Sequence, residues 1–126
     1  DVVLCDSKFP GEFTGLIHRE EQLSKLAGYG MGVLGMTLGE HGSVIADGDR
    51  QVRRQGFAVD AVDSTGAGDV FHAGFTYAWL QGQPPEACLD YGNAAAAIKC
   101  TALGGRTAIP RDPDEVWELV RTGTRR

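Results

Sequence analysis

Asp63-Ser64-Thr65-Gly66-Ala67-Gly68-Asp69, followed at once by Val70-Phe71-His72-Ala73-Gly74-Phe75, reads as a glycine-rich turn opening a helix. Gly66 and Gly68 carry no β-carbon, so the backbone can turn sharply there and bring several N–H groups within hydrogen-bond reach of a phosphate. The positive end of the helix dipole adds to that attraction. Asp69, in the first helical turn, is poorly suited to binding an anion and well suited to removing a proton from a hydroxyl that attacks one. Those residue types in that order point to phosphoryl transfer to an alcohol. A capped turn without chemistry would use the same residues differently. Asp63 or Thr65 would satisfy helix N–H groups, and Asp69 would act only as a favourable first-turn acid.

The run Asp63 to Asp69 resembles the D-x-T-G-A-G-D signature of the ribokinase-like sugar kinases, the PfkB family. Three other segments share the resemblance in the same chain order. Thr37-Leu38-Gly39-Glu40-His41-Gly42 is similar to the family's T-L-G-x-x-G nucleotide segment. Asn93-Ala94-Ala95-Ala96-Ala97 is similar to the small-residue helix that flanks the adenine, and Lys99 to Arg106, ending at Ile109-Pro110, to a loop that in many relatives gives carbonyls to a monovalent cation.

The resemblance implies an α/β fold of the ribokinase-like layered type. Relatives are more than twice as long, so residues 1–126 are expected to be the C-terminal, nucleotide-binding part of a larger kinase domain, without the sugar-binding half and the β-sheet lid. It also implies residue roles. Asp69 is the catalytic base, and the N–H groups of Gly66, Ala67 and Gly68 stabilise the charge on the transferred phosphoryl group. Thr37, Leu38, Gly39, Gly42, Gly68 and Asn93 contact the nucleotide. Carbonyls of Asp63, Thr65, Lys99, Ala102 and Gly104 are a candidate cage for K⁺. The implied cofactors are ATP and Mg²⁺. K⁺ is admitted without being required, because Ala108 stands where relatives with a potassium site often carry serine.

The implied partner is a sugar or sugar-acid substrate, and a homodimer of the full-length protein is also admitted. The N-x-x-E motif that many relatives carry after the first strand is replaced by Asp6-Ser7-Lys8-Phe9-Pro10-Gly11-Glu12. Asp6 or Glu12 could substitute there, or the stretch is a plain polar loop. An alternative function is a nucleotide-binding or regulatory remnant with no sugar half, against which an intact Asp69 argues.

Composition fits a globular domain with one core. Seventeen acids against twelve lysines and arginines leave a net charge of −5, which argues against a phosphate-tracking nucleic-acid surface. Arg53-Arg54 and Arg125-Arg126 are expected to be solvated. No apolar run is long enough to span a bilayer. Cys5, Cys88 and Cys100 lack metal or disulfide spacing, and with no signal-peptide pattern in these residues a reducing cytoplasm is the expected compartment. His18, His41 and His72 also lack ligand spacing, although His41 falls inside the Thr37 to Gly42 loop.

Hydrophobic patterning predicts a strand at Val2 to Cys5, a helix from about His18 to Ala27 and a strand at Met31 to Thr37. It predicts a hairpin of Ser43 to Ala46 with Gln51 to Gln55, turned by Asp47-Gly48-Asp49. The signature helix starts at about Gly68 and carries Phe71, Phe75 and Trp79 on one core-facing stripe. Gln81-Gly82-Gln83-Pro84 breaks it, and Pro85 opens the alanine-rich helix. A last helix is expected with Asp112 as N-cap, Pro113 at its first position, Glu115 completing a capping box and Val116, Leu119 and Val120 inward. Arg121 to Arg126 are expected to fray.

Overall fold

A computed structural model describes residues 2–47 and 50–126. Four strands form one sheet in the order β1 (Val2–Cys5), β2 (Val33–Thr37), β3 (Ser43–Asp47) and β4 (Arg50–Arg54). The β1–β2 pair is parallel, and β2–β3 and β3–β4 are antiparallel. The expected hairpin is therefore present, and its Gly48-Asp49 turn lies outside the described residues. Strand alternation divides the core in two. Leu34, Met36, Val44, Ala46 and Cys5 meet Leu23 and Leu26 of α2 (Arg19–Ala27). Val33 and Ile45 face the other way, onto α3 (Ala67–Leu80) and α4 (Pro85–Lys99), with Val116 of α5 (Pro113–Thr122) completing that cluster. The result is helices on both faces of a mixed sheet.

The α3–α4 contact sets the position of the signature turn. Phe71 and Phe75 are buried as the aromatic stripe requires, and Trp79 stacks on Phe75 at 6.1 Å while staying partly exposed. Full burial of one such side chain contributes about 1.5–3 kcal/mol. The small residues of α4 let the helices close together: a β-carbon on Gly92 would lie 2.9 Å from the Phe71 ring, and one on Gly74 would lie 3.1 Å from Ala95 Cβ. Packing accounts for Ala94 and Ala95, whereas Ala96 and Ala97, the latter also buried, line the cleft described below.

Four expectations fail here. The stretch after β1 is not a loop: residues Phe9–Thr14 form a short helix, α1. Asp6 Oδ1 accepts from the N–H groups of Lys8 and Phe9 (2.8 and 2.9 Å), Pro10 lies in the first turn, and Gly15 closes the far end in the left-handed conformation. The C-terminal residues do not all fray either. Phe57 and Arg125 form an antiparallel bridge, Ala58 N–H donates to Thr124 O (2.8 Å) and Arg126 N–H to Gly56 O (2.9 Å). Nor are the arginines simply solvated: the buried carboxylate of Asp90 pairs with Arg54 (2.9 Å) and Arg125 (2.7 Å). A buried carboxylate needs such partners, and it ties the chain end to β4 and α4. In α5 the Asp112 carboxylate caps the Asp114 N–H at 2.9 Å, while no Glu115 bond completes the box among the described residues.

Candidate active site

Gly66 is the N-cap of the 14-residue helix α3, with φ 78° in the left-handed region. That conformation turns the incoming loop into the helix axis and explains this glycine. Gly68 differs. It has an ordinary helical conformation, and a β-carbon there would meet only open space. Its lack of a side chain leaves the helix end open and is not required by the backbone turn. Ala67 N–H, expected at the anion hole, is instead spent closing the turn onto Ser64 O at 3.0 Å, which leaves the N–H groups of Gly66, Gly68 and Asp69 without a backbone partner among the described residues. Unpaired N–H groups at a helix N-terminus are the kind of donors that an anion accepts.

Asp63 holds this turn in place. Its carboxylate accepts from Thr65 N–H (2.9 Å) and, across the fold, from Gly104 N–H (2.7 Å). The Thr65 N–H and hydroxyl, the Gly104 N–H and the Lys99 charge hold its pKa down, to about 2. Val62 and Asp63 N–H both donate to Cys100 O (2.8 and 3.2 Å), so the segment before the turn is stitched to the end of α4. The first acid of the signature is thus a structural brace. The last one is not: Asp69 is exposed, and its carboxylate makes no hydrogen bond or ion pair among the described residues.

A cleft of about 260 Å³ opens beside the turn. Ala67, Gly68 and Phe71 of α3 line it together with Asn93, Ala96, Ala97 and Cys100 of α4 and its following residue. Thr37, Gly39, Glu40 and Gly42 line it from the β2–β3 loop. The structure therefore brings Thr37, Gly39, Gly42, Ala67, Gly68 and Asn93 to one cavity. Leu38 is turned away and packs against the α2-side cluster. Asn93 is buried, and its amide donates to Arg54 O and Gln55 O at 3.4 Å each. His41 is exposed and outside the lining, and Asp6 and Glu12 are outside it too.

Gly56, Phe57, Val59, Ala61 and Arg126 also line the cleft, and sequence reasoning misses them. Arg126 reaches it through the terminal pairing and an ion pair with Glu40. No periodicity marks an irregular segment or a chain end as cavity wall, although the Gly56-Phe57 pair is a hint of close packing. Among the described residues no group of His, Cys, Asp or Glu could hold a metal ion by itself. Burial pushes the Cys5 and Cys88 thiols up to about 11, which leaves them unreactive. No helix among the described residues is long and apolar enough to cross a membrane.

The family model for pfkB family carbohydrate kinases matches residues 12–112. A sugar kinase of Archaeoglobus fulgidus is 40% identical over 85 residues, which are 68% of this chain and 34% of that protein. Bacillus subtilis ribokinase is 37% identical over 85 residues, 68% of this chain and 29% of its own length. The crystal structure of Thermotoga maritima ribokinase superposes with a TM-score of 0.87 at 31% identity, covering 97% of this chain and 42% of that one. Vibrio cholerae fructokinase, in its fructose, ADP and calcium ion bound form, gives a TM-score of 0.85 at 28% identity, covering 95% of this chain and 41% of that one. The chain thus spans well under half the length of these relatives, and its layered α/β fold is ribokinase-like. It belongs to the pfkB family of carbohydrate kinases.

Proposed function

We propose that residues 1–126 form the nucleotide-binding part of an enzyme that phosphorylates a hydroxyl of a sugar or sugar acid with ATP. One observation carries this reading: a helix N-terminus with unpaired N–H groups and no side chain at Gly68 borders a cleft, with a free carboxylate one residue further on. Asp69 accepts the proton of the attacking hydroxyl while the N–H groups of Gly66, Gly68 and Asp69 stabilise charge on the phosphoryl oxygens. An ordinary aspartate is a weak base at neutral pH, so its contribution comes from position as the hydroxyl becomes acidic in the transition state. Mg²⁺, when bound, would neutralise charge on the phosphates; the described residues offer no protein cage for it. The walls that orient the sugar belong to the remainder of the relatives' length, and a reducing cytoplasm suits three free cysteines.

The test is an assay of the full-length protein with ATP, Mg²⁺ and a panel of ketoses, aldoses and sugar acids, read as phosphorylated product. Turnover on one of them is expected, and none on any would refute the enzyme reading. A second expected result isolates the turn. Gly68→Val should leave folding stability close to wild type, because the added side chain enters open space. It should weaken nucleotide binding by about tenfold or more, since it stands at the anion site. Unchanged affinity in calorimetry would remove Gly68 from the phosphate site.

A further inference from the structure

The carbonyl group of Asp63, one of the cation ligands implied by family resemblance, already has a cation. Lys99, the last residue of α4, is fully buried, and its Nζ donates to Asp63 O at 2.7 Å. A buried ammonium is costly without partners. No carboxylate lies within ion-pair distance of it among the described residues, because the Asp63 carboxylate is turned to the N–H groups of Thr65 and Gly104. What holds the charge is a neutral carbonyl oxygen and the negative end of a 15-residue helix. Those are the surroundings a monovalent cation takes, and an ammonium group resembles K⁺ in charge and size. A K⁺ ion on the same carbonyl oxygen would stand beside the buried ammonium and repel it, so these residues do not fit a K⁺ ion and a lysine together.

We infer that the Lys99 ammonium is the built-in cation of this site, so that the protein takes no K⁺ and its phosphate turn is set without one. Lys99 is a positioning residue. It fixes the carbonyl of Asp63, three residues before Gly66, and the same loop is held by Gly104 N–H and Cys100 O. The inference rests on the turn being the nucleotide site.

The test is calorimetric titration of the full-length protein with a Mg²⁺-bound, non-hydrolysable ATP analogue, in potassium, lithium or tetramethylammonium chloride at equal ionic strength. Wild-type affinity should change by less than about twofold between salts, whereas Lys99→Ala should bind about tenfold more weakly in tetramethylammonium, the worth of one charged hydrogen bond. K⁺ should restore most of that loss and Li⁺ should not. Lys99→Met keeps the buried volume without the charge. It should be weakened and not restored, and it carries the test if the alanine variant does not fold. Thermal unfolding in the same salts reads the cation without nucleotide: only Lys99→Ala should gain K⁺-specific stability. A wild type whose affinity or melting temperature rises specifically with K⁺, or neutral variants that bind like wild type without it, would overturn the inference. A wild type that binds no nucleotide in any salt would instead refute the proposed site, and the melting data would still decide the cation.

Discussion

Asp69→Asn in the full-length enzyme is expected to lower kcat by about 10²–10⁴ with little change in nucleotide affinity. The substitution keeps the shape and the first-turn position of the side chain and removes only its capacity to accept a proton. Asp69 is exposed and makes no hydrogen bond or ion pair among the described residues, so nothing structural depends on its charge beyond a modest interaction with the helix dipole. That interaction contributes about 0.3–1 kcal/mol at an exposed site, far too little to unfold the protein. Circular dichroism and nucleotide titration of the variant should therefore match wild type while steady-state turnover collapses. Near-normal turnover would remove Asp69 as the base, and a parallel loss of nucleotide affinity would assign it to binding.

Gly42→Ala should destabilise the protein by about 3–5 kcal/mol, in the range of severe core substitutions. Gly42 has φ 91°, and a β-carbon there would lie 2.1 Å from Arg54 O and 2.6 Å from Gly56 N. These are backbone atoms at and just beyond the end of β4, and they cannot rotate away. The cleft wall formed by the β2–β3 loop and Gly56 would have to separate. Gly39 provides the control, with φ 61° in the same loop and open space where a β-carbon would stand. Gly39→Ala should cost only about 1 kcal/mol of backbone strain. Urea unfolding of the pair measures the difference, and equal costs would show that the backbone contact at Gly42 does not hold the cleft.

That contrast shows what the sequence can and cannot reveal. In the T-L-G-x-x-G segment the spacing marks a loop, but not that the last glycine is required by the backbone of Arg54 and Gly56. The strands and the aromatic stripe of α3 are legible because a continuous apolar run marks Val33 to Met36 and helical periodicity marks Phe71 and Phe75, whereas the mixed pairing of the strands is not written in either pattern. Helix α1 escapes notice although its signals are present, an acid capping Lys8 and Phe9, a proline in the first turn and Gly15 beyond the end. Six residues are too few for periodicity to stand out. The cleft is half legible. Thr37, Gly68 and Asn93 stand in recognisable motifs, whereas Phe57 and Arg126 reach it only through the pairing of residues 56–58 with 124–126. The burial of Lys99 is also hidden, since a lysine ending a helix ordinarily reads as a solvated complement to the dipole.

Amide hydrogen exchange of the protein, with and without a non-hydrolysable ATP analogue, tests the nucleotide site most directly. The N–H groups of Gly66, Gly68 and Asp69 have no backbone partner among the described residues, so they should exchange fast when free and slow sharply when the phosphates are bound. Protection should extend to residues 37–42 of the opposite wall. Protection confined to other parts of the chain, with residues 66–69 still exchanging freely at saturating nucleotide, would contradict the assignment of this turn as the phosphate site.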